Sequence, residues 1–318
     1  MSSAIVFTEY GGPEVLRLMQ AEPPAPGEGQ VRVRVRAAGL QPADSLLRSG
    51  RFRAFMPARF PQRLGNELAG VVDAVGPGVA HLRLGDDVLG PAAAPGAHAD
   101  HALADAAQLV ARPAGLDWSQ AGALSASGQT AATCLSDLEV GPGDTILIHG
   151  AAGGVGSMAV QIAFARGARV IGTASERNHE FLRELGAVPV VYGPGLAERV
   201  RSALHTPVDA TLEAQFDARV DAAFDTAGTP DALEASTELV ADRSRIGTVA
   251  AAAEVERYGI RRMSTRRSAE QLRELVELTR AGRLKVFVQR TFALDQASEA
   301  YKELDGGHVR GKLVFLMP

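Results

Sequence analysis

Cysteine is almost absent from these 318 residues: Cys134 stands alone. One thiol excludes an internal disulfide framework and any zinc site built from several cysteines. Aromatic residues are sparse at 5%, and no run of 18 or more apolar residues occurs, so nothing reads as a bilayer-spanning helix. Neither sign of charge dominates. The 33 basic and 37 acidic residues leave a net charge of −4, with no general pull toward nucleic acid or an anionic membrane. The opening MSSAIVFTEYGG lacks the basic and apolar regions of a secretory leader, so a soluble cytoplasmic protein is expected. What is present is ordinary globular composition, 46% hydrophobic and 22% charged, and length enough for two domains.

The first 110 residues read as short strands between Pro/Gly turns. Residues 31–36 alternate valine and arginine, which puts three valines on one face of a half-buried strand and three arginines in water. Further strands are expected at 68–75 and 87–89, and the close spacing suggests a small barrel or sandwich. Near residue 115 the pattern changes. Residues 118–138 carry helical spacing, then strands at 145–149, 170–173, 188–192, 222–225 and 246–250 alternate with helices at 157–166 and 178–185. That alternation predicts a doubly wound parallel sheet. Residues 270–280 form an amphipathic helix, with Leu272, Leu275, Val276 and Leu278 on the apolar side.

The stretch TILIHGAAGGVGSMAVQIA (145–163) places strand, glycine turn and helix in the order a dinucleotide site needs. Gly153 lets the backbone approach a pyrophosphate, and Gly156 lets the helix pack close to the strand. Ala152, Gly154 and Val155 complete the turn, whose helix N-terminus offers free N–H groups and a favourable dipole. The first glycine of G-x-G-x-x-G is here Ala151. The next strand ends at Ala174, where an NAD site would carry an acid that bonds the ribose 2′-OH. Ser175 and Arg177 follow, a hydroxyl and a guanidinium suited to a 2′-phosphate, while Glu176 between them competes as a 2′-OH partner. NADPH is the expected cofactor.

Several segments, in order, resemble the medium-chain dehydrogenase/reductase superfamily in its zinc-free quinone-oxidoreductase branch. They are FTEYGGPEVL (7–16), LGNELAGVV (64–72), GDDV (85–88), the glycine turn, and GHVRGKLV (307–314). The resemblance implies an α/β fold: a GroES-like β-barrel domain at 1–120 and 263–318, and a Rossmann domain at 121–262. It also implies that Tyr192 packs near the adenosine 2′-phosphate and that Arg310 reaches the cofactor phosphates. The family's Gly-Val-Asn-Pro-x-Asp run is here Gly39 to Asp44, with Gln41 replacing an asparagine that lines the nicotinamide pocket. Phe52 stands where the family often has tyrosine. Thr130 resembles a threonine at the inter-domain cleft, and its bland alternative is a helix hydroxyl bonding the preceding turn.

No metal site is expected. His98 and His101 would lie in one strand with side chains on opposite faces, and His149 reads as a packed histidine. No serine nucleophile elbow occurs, and no residue is assigned as proton donor. Five arginines in residues 257–267 read as a solvated loop, with a phosphate-bearing partner as the alternative. The expected activity is NADPH-dependent hydride transfer to a small-molecule quinone or enone, which needs no metal. The alternatives are an enoyl-thioester reductase and a non-enzymatic NADPH-binding protein, structural or RNA-associating. A homodimer is expected, pairing through a sheet edge near residues 246–253.

Overall fold

The valine–arginine alternation of residues 31–36 is half of what it promised. Val31, Val33 and Val35 are buried, but of the three arginines only Arg34 is exposed; Arg36 is half-buried, and so is Arg32, which pairs with Asp73 of the neighbouring strand at 2.9 Å. The computed structural model describes residues 1–206 and 216–318. Its first part runs β1 (Ser2–Phe7), β2 (Leu16–Ala21), β3 (Gln30–Gly39), α1 (Pro42–Arg48), β4 (Gln62–Arg63), β5 (Glu67–Val75), β6 (Asp87–Pro91), β7 (His101–Asp105), β8 (Val110–Ala111) and α2 (Trp118–Ala121). Next come α3 (Ser125–Asp137), β9 (Thr145–His149), α4 (Gly154–Ala165), β10 (Arg169–Thr173), α5 (His179–Glu184), β11 (Ala187–Val190), α6 (Leu196–Ala203) and β12 (Ala222–Asp225). α7 (Pro230–Leu239), β13 (Ile246–Thr248), α8 (Val255–Tyr258) and β14 (Arg261–Arg262) follow. The chain ends with α9 (Ala269–Arg280), β15 (Val288–Phe292), α10 (Ala297–Asp305) and β16 (Lys312–Leu316).

The chain divides into two units: Met1–Ala126 with Arg267–Ala281 and Val286–Pro318, and Ser127–Arg266 with Gly282–Lys285. The first is a mostly antiparallel β unit of the GroES-like kind, ordered β15-β16-β3-β5-β6-β8 with β7 also on β3, beside a small sheet β2-β1-β4. Its core gathers Phe7, Val33, Leu40, Leu68, Tyr301 and Phe315. The second unit is a parallel sheet, β11-β10-β9-β12-β13-β14, of the Rossmann type. Ile146, Leu147 and Ile148 of β9 are wholly buried at its centre. At roughly 1.5–3 kcal/mol for each such side chain, this strand anchors the sheet.

Two elements depart from expectation. The helix expected over 118–138 is split at Gly122, which packs backbone to backbone on β3: a Cβ there would stand 2.6 Å from the Ala37 carbonyl oxygen, and Gly39 N–H donates to the Gly122 carbonyl at 2.8 Å. Residues 246–253 are not the sheet edge. β13 ends at Thr248 and lies between β12 and β14, so the edge is the short, arginine-bearing β14.

His98 shows how the β unit satisfies a buried polar ring. It precedes β7 rather than lying in it, so strand alternation with His101 does not apply. Its Nε2–H donates to the Gly39 carbonyl at 3.2 Å, and Nδ1 faces the Tyr301 hydroxyl at 3.1 Å. His101 instead faces Asp73 at 3.3 Å and Ser2 Oγ at 3.1 Å. Burial pushes the His98 imidazole down to about 4. Because the folded value lies below the unfolded value of about 6.5, the ring stabilises the fold fully above that pH and loses its contribution as pH falls toward 4. Urea unfolding of the wild type and His98→Gln across pH 4–7 should show a difference that shrinks on acidification by about 1.4 kcal/mol per pH unit. A constant difference would remove His98 from this role.

Candidate functional site

β9 delivers the chain to a turn whose geometry only glycine allows at one position. Gly150 has φ +67°, and a Cβ on it would lie 2.7 Å from Thr226 Oγ1. The left-handed residue is therefore Gly150, and Ala151 keeps an ordinary φ, its N–H donating to the Thr173 carbonyl at 3.0 Å. That accounts for alanine at the position where the fingerprint has its first glycine. Gly153 caps α4, and its own N–H returns to the Gly150 carbonyl at 2.9 Å. A Cβ on Gly156 would meet the Gly150 oxygen at 2.2 Å, so the helix lies directly on the turn. Ala152 is buried, while Gly153, Gly154 and Val155 are half-buried. The N–H groups of Gly154, Val155 and Gly156 have no intrahelical acceptor. A bare-backbone cradle at a positive helix end fits a pyrophosphate.

The next two strands end level with each other. Thr173 of β10 pairs with Val190 of β11, so Ser175 and Tyr192 each stand two residues beyond paired positions. Ala174 is buried. Ser175 is half-buried, and its Oγ accepts from Asn178 Nδ2 at 3.3 Å. Glu176 and Arg177 are both exposed. β11 stops at Val190 instead of continuing to residue 192, because Gly193 and Gly195 turn the chain with φ +97° and +77°. Tyr192 is 50% exposed on that turn. Arg199 fastens the turn by donating to the carbonyls of Val191 (2.9 Å), Gly193 (2.9 Å) and Pro194 (2.7 Å), and Asp231 accepts the Gly193 N–H at 2.8 Å. Sequence reading missed both of these supports.

His149, at the end of β9, is a packed histidine as expected. Its Nε2 meets Ser236 Oγ at 2.9 Å, Nδ1 meets Thr173 Oγ1 at 3.3 Å, and burial lowers it to about 4. Thr130 on α3 shares a 2.6 Å hydrogen bond with Thr265 Oγ1. The arginine run at 257–267 is no bare loop, since it contains α8's last turn and β14. Arg266 forks onto both Asp137 oxygens, and Arg261 donates to the Asp137 carbonyl.

Gln41, Phe52 and Arg310 belong to the other unit. Arg310 is exposed, and its N–H donates to Gln289 Oε1 at 2.7 Å. Gln41 is buried just ahead of α1, and its Nε2 donates to Glu67 Oε1. Lys312 Nζ reaches the same oxygen at 3.0 Å and the Leu40 carbonyl at 3.0 Å; Glu67 Oε2 accepts the Ala126 N–H at 2.7 Å. Asp44 accepts the N–H groups of Gln41 (3.0 Å) and Gly65 (3.2 Å), and burial raises its carboxyl to about 7. Phe52, half-buried beyond α1, meets the Phe55 ring at 4.7 Å with the two planes tilted by 47°. The Glu67–Lys312 pair escaped the sequence reading, although the charges interrupting LGNELAG and GKLVF were its signal. Burial pushes the Cys134 thiol up to about 12. Among the described residues, no group of three or more His, Cys, Asp or Glu side chains is gathered to hold a metal.

Residues 27–127 match the alcohol dehydrogenase GroES-like domain, and residues 195–315 match a zinc-binding dehydrogenase family. A quinone oxidoreductase of Pseudomonas aeruginosa is 34% identical over 340 residues, covering 99% of this chain and 100% of that one. The solved quinone oxidoreductase of Coxiella burnetii superposes with TM-score 0.83 at 31% identity, covering 100% of this chain and 99% of that one. The Escherichia coli quinone oxidoreductase complexed with NADPH gives TM-score 0.85 at 28% identity, covering 99% and 100%.

Lys312→Met should destabilise the protein by about 3–5 kcal/mol, because it leaves the Glu67 carboxylate buried and unpaired. Adding Glu67→Gln should recover a large part of that loss. Additive losses in denaturant titration would contradict the coupling.

Proposed function

We propose, because the chain belongs to the medium-chain dehydrogenase/reductase superfamily in its quinone-oxidoreductase branch, that it is an NADPH-dependent oxidoreductase acting on quinones or activated C=C bonds. The observation that carries this reading is likeness along the whole chain to a quinone oxidoreductase, joined to a glycine cradle of the right shape. NADPH, when bound, supplies two electrons as hydride, and one proton from water completes the reduction of quinone to hydroquinone. The chain's own residues bind, orient and exclude water.

Residues 152–156 hold the pyrophosphate through backbone N–H groups. Ser175, Arg177 and Tyr192 receive the 2′-phosphate, and no carboxylate at Ala174 repels it. Arg310, in the other unit, is the further cation that the family resemblance assigns to the phosphates. The unit containing 127–266 is thus the cofactor domain, to which Thr130 belongs, and Gln41 and Phe52 are the residues of the GroES-like unit assigned to the acceptor. Glu67 fixes the Gln41 amide with its nitrogen toward the carboxylate, which orients the side chain before any ligand arrives. The developing hydroquinone oxygens need only neutral donors and water, so no metal is required.

NADPH oxidation with 1,4-naphthoquinone should be measurable and should survive dialysis against a strong chelator. A panel of quinones giving no turnover overturns the reading. Arg177→Ala should weaken NADPH binding about tenfold in fluorescence titration, close to 1.4 kcal/mol, and shift NADH by less than about twofold. Equal wild-type affinity for the two cofactors would sink the 2′-phosphate assignment.

The same reading includes a homodimer and a cytoplasmic setting, where NADPH is the reductant at hand. β14, the end strand of the six-stranded sheet, has β13 on one side, and the twofold mate would add to its other side. Light scattering at micromolar concentration should give twice 33.3 kDa. A concentration-independent 33.3 kDa would mean that Arg261 and Arg262 keep this edge apart.

A further inference from the structure

Between Asp44 and Glu67, both buried, the sequence has five arginines and no acid. This is a strong local excess in a chain whose net charge is −4. Only Arg48 is neutralised, by Asp305 at 2.6 Å. The side chains of Arg51, Arg53, Arg59 and Arg63 make no hydrogen bond or ion pair among the described residues. Several exposed arginines elsewhere in the chain find acids: Arg183 with Glu180, Arg201 with Glu198 and Glu238, Arg290 with Glu299 and Glu303.

The same segment exposes apolar side chains. Phe55 is 62% exposed, Met56 46% and Phe60 45%. The segment is nevertheless held in shape. The Met56 and Phe55 N–H groups donate to the Phe52 carbonyl at 2.7 and 3.1 Å, Ala58 N–H donates to the Tyr10 hydroxyl at 2.9 Å, and the Phe60 ring meets Tyr10 edge-on at 5.3 Å. Exposed aromatic side chains and unpaired guanidiniums within one short, hydrogen-bonded segment suit one kind of ligand: an apolar body carrying an anion. The tilted ring contact Phe52–Phe55 joins this surface to the residue assigned above to the acceptor.

We propose that the acceptor reduced by this protein is a quinone or enone with an apolar or aromatic body and an anionic group, carboxylate, sulfonate or phosphate, and that residues 51–63 select it. This deepens the reductase reading and rests on it. Arginine suits the task because its planar fork meets such oxyanions with two parallel hydrogen bonds. Phe55 and Met56 cover the body, and Arg53 and Arg59, on either side of them in sequence, take the charge.

The test compares 1,4-naphthoquinone-2-sulfonate with 2-methyl-1,4-naphthoquinone as acceptors for NADPH. The wild type should favour the sulfonate in kcat/KM by about tenfold at low salt, mainly through KM, and the ratio should fall as salt screens the guanidiniums. In the double variant Arg53→Gln/Arg59→Gln, with an unchanged unfolding temperature, the ratio should collapse toward unity. Equilibrium dialysis with naphthalene-2-sulfonate against naphthalene-2-methanol, without NADPH, reads the same preference independently of turnover. A salt-independent ratio that the double variant preserves overturns the proposal and leaves the reductase reading standing. Reduction of neither quinone overturns the reductase reading, and the acceptor class with it, whatever the dialysis gives.

Discussion

A buried carboxylate and a buried ammonium, Glu67 and Lys312, set the terms for the GroES-like unit. Removing both charges from water carries a desolvation penalty that their mutual attraction alone does not repay. The remaining hydrogen-bonding capacity is therefore spent on the Gln41 amide, the Ala126 N–H and the Leu40 carbonyl. The two residues are 245 positions apart, one opening β5 and the other opening β16. The pair is satisfied only when the last strand has returned to the first part of the chain. Gln41 inherits its orientation from that closure, and Asp44 holds the adjoining turn by taking two backbone N–H groups.

The Rossmann unit works with partial charges instead. Two of its carboxylates near the carboxyl ends of the strands are occupied: Asp225 accepts from Thr248 Oγ1 and from the N–H groups of Ala227 and Gly228, and Asp231 accepts from Gly193. Backbone N–H, hydroxyl and guanidinium are what this end of the sheet offers to the phosphates of the proposed cofactor, with the Glu176 carboxylate exposed among them. Arg199 contributes in a second way, since the three carbonyls it gathers hold the turn that carries Tyr192.

The parallel sheet was legible because its central strands are compact apolar runs and several of its turns are marked by glycine; β9 and β12 begin and end where the sequence placed them. Ends that depend on tertiary contact were not legible. Nothing in the helical spacing of residues 118–138 shows that Gly122 must press on the Ala37 carbonyl, and nothing local shows that Arg199 will reach back to Val191. The sheet edge was misplaced for a related reason. β14 has two residues, both arginines, and strand patterning has no purchase on so short and polar an element. The polar cluster around Glu67 joins residues distant in sequence, so only the isolated charges within apolar runs hinted at it.

Cys134 gives the fold a kind of chemical tolerance. Quinones and enones are Michael acceptors, and the protein group that attacks them most readily is a thiolate. This chain has one sulfhydryl, wholly buried, and the desolvation that raises it to about 12 keeps it protonated at neutral pH. A catalyst whose acceptors are alkylating agents thus offers them no exposed, ionised sulfur to modify.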